Sequence, residues 1–192
     1  VNTGTGNFTL NTSDGHLTQS GALTTNVADI TTGAGSVDLT NAGNALMTLN
    51  LLTIDSDASV VDTGGLTLGT VNTGTGNIDI ATSGGVLSVQ QNISGSNVTL
   101  TGVGVELSTD NGDITVSAGA VSNNININAG TGTLTLQDSG ANQTSLVTIN
   151  SGNIVIAADN VVIGSANSID QIISDGETTI APATALTNIE LG

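Results

Sequence analysis

The chain has 192 residues, no Lys, no Arg, no Cys and sixteen acidic residues against a single His, a formal charge of −16. It cannot neutralise phosphates, which excludes nucleic acid and anionic membrane surfaces as partners, and the absence of thiols excludes disulfides and thiolate metal sites. Aliphatic residues are plentiful while Phe8 is the only aromatic, a composition suited to a narrow interior of stacked aliphatic layers rather than a core built on large rings.

The heptapeptide Val1-Asn2-Thr3-Gly4-Thr5-Gly6-Asn7 returns unchanged at 71–77. It belongs to a unit, Gly-x-Gly-x-Φ-x-Φ with Φ aliphatic or Phe, that recurs from Gly4, Gly33, Gly74 and Gly130, and from Gly102 with the apolar pair Val105 and Leu107 one residue earlier. A glycine turn followed by two apolar residues on one face of a short strand is its physical content, because strand side chains alternate with period two. In chain order, strands are expected at Asn7 to Leu10, His16 to Gln19, Val27 to Ile30, Val37 to Leu39, Ala45 to Ile54, Ser59 to Val61 and Leu66 to Leu68. The run Ala45 to Ile54 reads as one long strand or two in sequence. Three sets of three follow: Ile78/Ile80, Val86–Val89 and Val98–Leu100; Val105/Leu107, Ile114/Val116 and Ile125/Ile127; Leu134/Leu136, Leu146–Ile149 and Ile154/Ile156.

The steps from Gly4 to Gly33, from Gly74 to Gly102 and from Gly102 to Gly130 are nearly equal, whereas the step from Gly33 to Gly74 is almost half as long again. A coil as long as the shorter step, with an insertion between Gly33 and Gly74, is therefore expected. Three short strands in each repeat of roughly 20–30 residues predict an all-β, right-handed parallel β-helix (β-solenoid). Roughly seven to nine coils would give a rod on the order of 35–45 Å long at ~4.8 Å per coil. An antiparallel sandwich is the rival fold. Residues 1–164 are expected to form the repeat rod and residues 165–192 a C-terminal cap or subunit-docking segment. In the latter, Asn167-Ser168 predicts a brief helical turn over Ile169 to Ile173, and Pro182 would interrupt a central strand.

Gly76-Asn77-Ile78-Asp79-Ile80, Gly112-Asp113-Ile114-Thr115-Val116 and Gly152-Asn153-Ile154-Val155-Ile156 resemble the Gly-[Asn/Asp]-Ile-x-Φ repeats of filamentous-haemagglutinin-type exoproteins. The resemblance covers residues 1 to about 163. It implies the rod of a large secreted bacterial adhesin built as a right-handed parallel β-helix.

The chemistry available is limited. His16 would have to anchor any Ser-His-Asp arrangement, with Asp14 two residues away in a turn; an exposed turn histidine is the plainer reading. Polysaccharide-active enzymes on parallel β-helices need clustered acids with Arg, Lys or aromatic residues for sugars; with no Lys or Arg and Phe8 alone, such an enzyme is only a remote alternative for this chain, and a phosphate loop would need its Lys. Thr-x-Thr pairs resemble solenoid ice-binding arrays but fall at glycine turns. Five Asn-x-Ser/Thr sequons begin at Asn7, Asn11, Asn92, Asn97 and Asn142, about the number chance supplies at this composition.

Outward acids are the candidate site. The residue between the two apolar ones is Asp38, Asp79 or Glu106 in three units, and a coil as long as the shorter glycine step would put Asp79 and Glu106 on adjacent rungs. There they would repel unless a Ca²⁺ ion or a neighbouring subunit relieved them. Asp55-Ser56-Asp57 and Asp110-Asn111-Gly112-Asp113 are further candidate Ca²⁺ turns with oxygen ligands. The expected function is structural and non-enzymatic: a segment or subunit of an extracellular fibre, sheath or surface layer, partnered by itself end to end or laterally. A stalk or receptor-binding segment of an adhesin, engaging a cell-surface receptor, is the alternative. With no initiator Met or basic leader in view, the chain is expected to be a mature exported product or a fragment. No apolar run approaches the length of a membrane-spanning helix, so no membrane span is expected.

Overall fold

The computed structural model describes residues 1–107, 114–118, 124–136, 144–148, 151–164 and 170–184. Within them the chain is all-β. Seventeen strands and no helix are hydrogen-bonded into one sheet, parallel throughout, that curls as a half-barrel in the manner of a β-solenoid.

The pairings string into three ladders. The first runs from Asn2, bridged to Thr24, through the opening residues of Thr24–Thr31, Ala45–Leu52 and Leu66–Asn72. It continues through Val86–Val89 and Gly104–Leu107 to the closing residues of Ile125–Leu136 and Ile154–Ile163. The second takes Phe8–Asn11, the closing residues of the same three early strands, then Ile93–Gly95, Ile114–Ala118, Thr144–Thr148 and Gln171–Ile173. The third begins at Leu17, bridged to Val37, and passes through Val37–Leu39, Ala58–Asp62, Ile78–Thr82 and Val98–Thr101. The opening residues of Ile125–Leu136 and Ile154–Ile163 follow, and Thr178–Ala181 ends it. The run expected at Ala45 to Ile54 is thus a single strand, Ala45–Leu52, that serves two ladders.

Register explains why aliphatic residues suffice. Leu39, Val60, Ile80, Leu100, Ile127 and Ile156 stand one above another on the third ladder, and Leu66, Leu87, Val105, Leu134 and Val161 on the first. All are buried. Branched side chains repeating at one strand spacing fill a narrow interior without rings, each contributing about 1.5–3 kcal/mol on burial. Phe8, Leu17, Ile163, Ile172 and Ile180 pack against this core only half-buried. Each of them lies in the first or last rung of its ladder.

The expected long coil with an insertion is corrected by the pairing. Phe8 pairs with Ala28, Val37 with Ala58 and Ile78 with Val98, offsets of 20 or 21; Val98 pairs with Ile125 and Ile125 with Ile154, offsets of 27 and 29. The glycine motif misled because it serves at three different corners. Gly4 lies between the first and second ladders, Gly33 and Gly74 between the second and third, and Gly102 and Gly130 between the third and the next turn of the first. The long step from Gly33 to Gly74 is two ordinary rungs at one corner. The intervening corner is Thr53 to Asp57, where Asp55 takes the positive φ of 57°. The helical turn expected over Ile169 to Ile173 is corrected too: Gln171–Ile173 is a strand, because Ile172 continues the apolar stack from Leu146. Pro182 follows directly on Thr178–Ala181, outside the pairing.

Candidate functional site

The corner leading into the third ladder carries a continuous polar ladder, one residue per rung: His16, Ser36, Asp57, Asn77, Asn97, Asn124, Asn153 and Glu177. Each stands directly before the first paired residue of the third ladder, and its carbonyl accepts the N–H of that residue from the rung before. Leu17 N–H thus donates to Ser36 O (2.9 Å), Ala58 N–H to Asn77 O (2.9 Å), Ile78 N–H to Asn97 O (2.8 Å) and Ile154 N–H to Glu177 O (2.9 Å).

The side chains add a second, one-way series. At six of the seven steps, all but Ser36 to Asp57, the backbone N–H of the later residue donates to the side chain of the rung before it: Ser36 to His16 Nδ1 (3.1 Å), Asn77 to Asp57 Oδ1 (2.7 Å), Asn97 to Asn77 Oδ1 (3.3 Å), Asn124 to Asn97 Oδ1 (2.9 Å), Asn153 to Asn124 Oδ1 (2.9 Å) and Glu177 to Asn153 Oδ1 (2.7 Å). Asn77 and Asn97 also donate Nδ2–H to the same oxygens, at 3.1 and 2.8 Å. An amide is the natural rung here, since it accepts with its oxygen while its NH₂ donates to the rung before. At His16 the fixed donor Ser36 N–H requires an unprotonated Nδ1, which puts the ring proton on Nε2.

The candidate acids are placed as follows. Asp38 and Asp79 share the outward face of the third ladder, where Asp38 pairs with Ser59 and Ser59 with Asp79. Glu106 is not beside Asp79. It stands on the first ladder between Ser88 and Thr135, while Asp79 lies between Ser59 and Thr99. The adjacency depended on the longer period that the pairing replaces. Two strand spacings, roughly 10 Å, separate Asp38 from Asp79, a repulsion of only about 0.4 kcal/mol in water before screening. Asp55 and Asp57 sit together at the polar corner, where each accepts from the rung after it; Thr75 N–H donates to Asp55 Oδ1 at 2.9 Å. Asp110 and Asp113 lie outside the described residues. Among the described residues no three His, Asp or Glu side chains form a metal-binding group, and no helix is long and apolar enough to cross a membrane.

Two buried polar residues escaped the sequence reading. Asn44, fully buried, accepts Leu23 N–H at 2.8 Å and donates Nδ2–H to Leu39 O at 2.8 Å, while Gln19 bonds both ends of its amide. Asp62, also inaccessible, accepts Leu46 N–H at 2.7 Å and Gly64 N–H at 2.8 Å. Burial raises the Asp62 pKa above the usual carboxylate range, against the lowering effect of those backbone bonds. Exposed Asp159 shifts the other way: the Thr184 hydroxyl and N–H hold its pKa down and tie the chain beyond Pro182 back onto the last rung. The polar ladder did have a sequence signal, the Asn of Gly-Asn-Ile-x-Ile immediately before the first inward aliphatic. Asn44 and Asp62 had none, being single polar residues in ordinary turns.

At the first rung an apolar hollow of about 220 Å³ is lined by Val1, Phe8, Leu17, Leu23 and Leu39. No family model, curated protein or solved structure matches the chain.

Proposed function

We propose that this chain is a non-catalytic structural protein of the cell exterior. It is a right-handed β-solenoid with three strands per coil and roughly seven to nine coils, a rod on the order of 35–45 Å long at ~4.8 Å per coil. Copies stack end to end into a surface fibre, sheath or layer. One observation carries the reading: the half-buried core residues, Phe8 and Leu17 against Ile163, Ile172 and Ile180, are confined to the first and last rungs. Between the ends the stacks are closed, and at the ends both apolar side chains and strand edges await a continuation. The outward column of the third ladder supports the same reading, since Ser59 separates its two carboxylates, Asp38 and Asp79, and Thr99, Asn126, Val155 and Thr179 follow without charge.

Electron microscopy of the purified chain tests this. Filaments of uniform width that lengthen with concentration are expected, with a fibre reflection near ~4.8 Å along the axis. Isolated short rods at every concentration would overturn end-to-end assembly. They would favour the second reading, a stalk or receptor-binding segment of a secreted adhesin, for which the Gly-Asn-Ile-x-Ile units speak.

A further inference from the structure

We infer that the polar corner fixes how two copies meet: the Glu177 rung of one copy seats on the His16 rung of the next, and the hydrogen-bonded series runs on across the junction. This rests on the end-to-end reading and adds its direction, register and chemistry.

The series runs one way. At the six steps that carry a side-chain bond, the acceptor side chain belongs to the earlier rung and the donor N–H to the later one; only the step from Ser36 to Asp57 lacks it. Glu177, in the last rung, presents a carboxylate, an acceptor only; its Oε1 meets the hydroxyl of its own Thr179 at a long 3.4 Å. His16, in the first rung, keeps its own N–H and, with Nδ1 engaged by Ser36, a ring Nε2–H. These are the counterparts of the two N–H groups that Asn77 gives to Asp57. Head to tail, an anionic acceptor meets two donors on the only histidine in a chain without Lys or Arg. Tail to tail would set two carboxylates together, and head to head two sets of donors. The same register carried one rung further puts Ile163 against Phe8 and Ile172 against Leu10, so apolar side chains close on apolar side chains in these two columns.

A chain without Cys makes the test clean. Neighbouring rungs are ~4.8 Å apart, inside the Cα separation a disulfide spans. The variant carrying both His16→Cys and Glu177→Cys, oxidised at concentrations where filaments form, is expected to give a series of covalent multimers on a non-reducing gel. Each single variant should stay monomeric. Dimers from either single variant would establish a symmetric junction and overturn the proposal. The critical concentration for sedimentation gives a second measure. Glu177→Gln, which keeps an acceptor, should stay within about threefold of the native chain, and Glu177→Leu should raise it about tenfold or more, the loss of a hydrogen bond to a charged group. Native filaments with no cross-linking in the double variant and no effect of Glu177→Leu would sink the pairing while leaving end-to-end assembly standing. A native chain that never assembles would remove both.

Discussion

Asn77 gives two N–H groups, one from its backbone and one from its side chain, to the same carboxylate oxygen of Asp57, at 2.7 and 3.1 Å. Asn97 repeats this on Asn77 at 3.3 and 2.8 Å. Replacing Asn97 by Ala therefore removes an acceptor from Asn124 N–H as well as a donor to Asn77. A loss of about 1–3 kcal/mol is expected, read as a fall in Tm of roughly 2–10 °C for a chain of this size. Asp57→Asn, which keeps an acceptor at the same place, should cost under about 1 kcal/mol. Equal losses from the two variants would mean that the side-chain series does not contribute.

Gly4 and Gly74 occupy the same place in identical heptapeptides and share a φ of +59°. Their surroundings differ. A Cβ on Gly4 meets nothing within 4 Å, whereas on Gly74 it would press on Asp55 Oδ1 and lie 2.9 Å from Asp55 N. Gly4→Ala should cost only the backbone term, about 1–2 kcal/mol, and Gly74→Ala measurably more. Denaturant unfolding of both variants isolates the contribution of the rung beneath, and equal costs would contradict the stacking.

Burial raises the Asp62 pKa. A carboxyl whose folded pKa lies above its unfolded value adds stability that is fully present below the unfolded pKa, near ~3.9, and lost as pH rises through the folded value. Stability should therefore climb as pH falls from 7 toward 4, helped by reduced repulsion among sixteen acids. Asp62→Ala, which strands Leu46 N–H, should lower stability by about 1–3 kcal/mol at pH 7 and flatten part of this rise. Unfolding curves at a series of pH values check both.

With no Lys or Arg, the chain has no side-chain salt bridge of those kinds for salt to weaken, so screening should act almost wholly in its favour. Tm is expected to rise steadily as the Debye length shrinks from ~30 Å to ~3 Å between about 0.01 and 1 M NaCl. Calcium at matched ionic strength serves as the comparison. A further rise beyond that given by Mg²⁺ would point to oxygen-ligand sites such as the Asp55–Asp57 turn, and an equal rise to screening alone.

Much of the architecture is legible in the sequence, because two-residue alternation around Val37/Leu39, Ile78/Ile80 or Ile154/Ile156 marks a buried strand face without help from its neighbours. The rung period is not. Ile93–Gly95 offers one isoleucine and no alternation, so the rung holding Val86–Val89 and Val98–Thr101 lost its middle strand. Ile78–Thr82, which lies one rung earlier, takes its place in the sequence pattern. The glycine pairs compounded this, since a local turn made by Thr and Gly is equally useful at any corner: Thr3 Oγ1 donates to Gly6 O and Thr73 Oγ1 to Gly76 O at different corners. Without the period, the sequence predicts Asp79 and Glu106 side by side. Spatial succession along a corner depends on which residues pair across a whole rung, and single-sequence patterns carry no such distance.

The rungs lengthen between the Ile78–Val98 pairing and the Ile125–Ile154 pairing with the apolar stacks unbroken. The added residues fall between the paired positions, where loop closure grows only slowly more costly with length. Stiffness and decoration are thereby separated in this molecule. The stacks set the axial repeat, and the chain between paired positions changes in length while that repeat is kept.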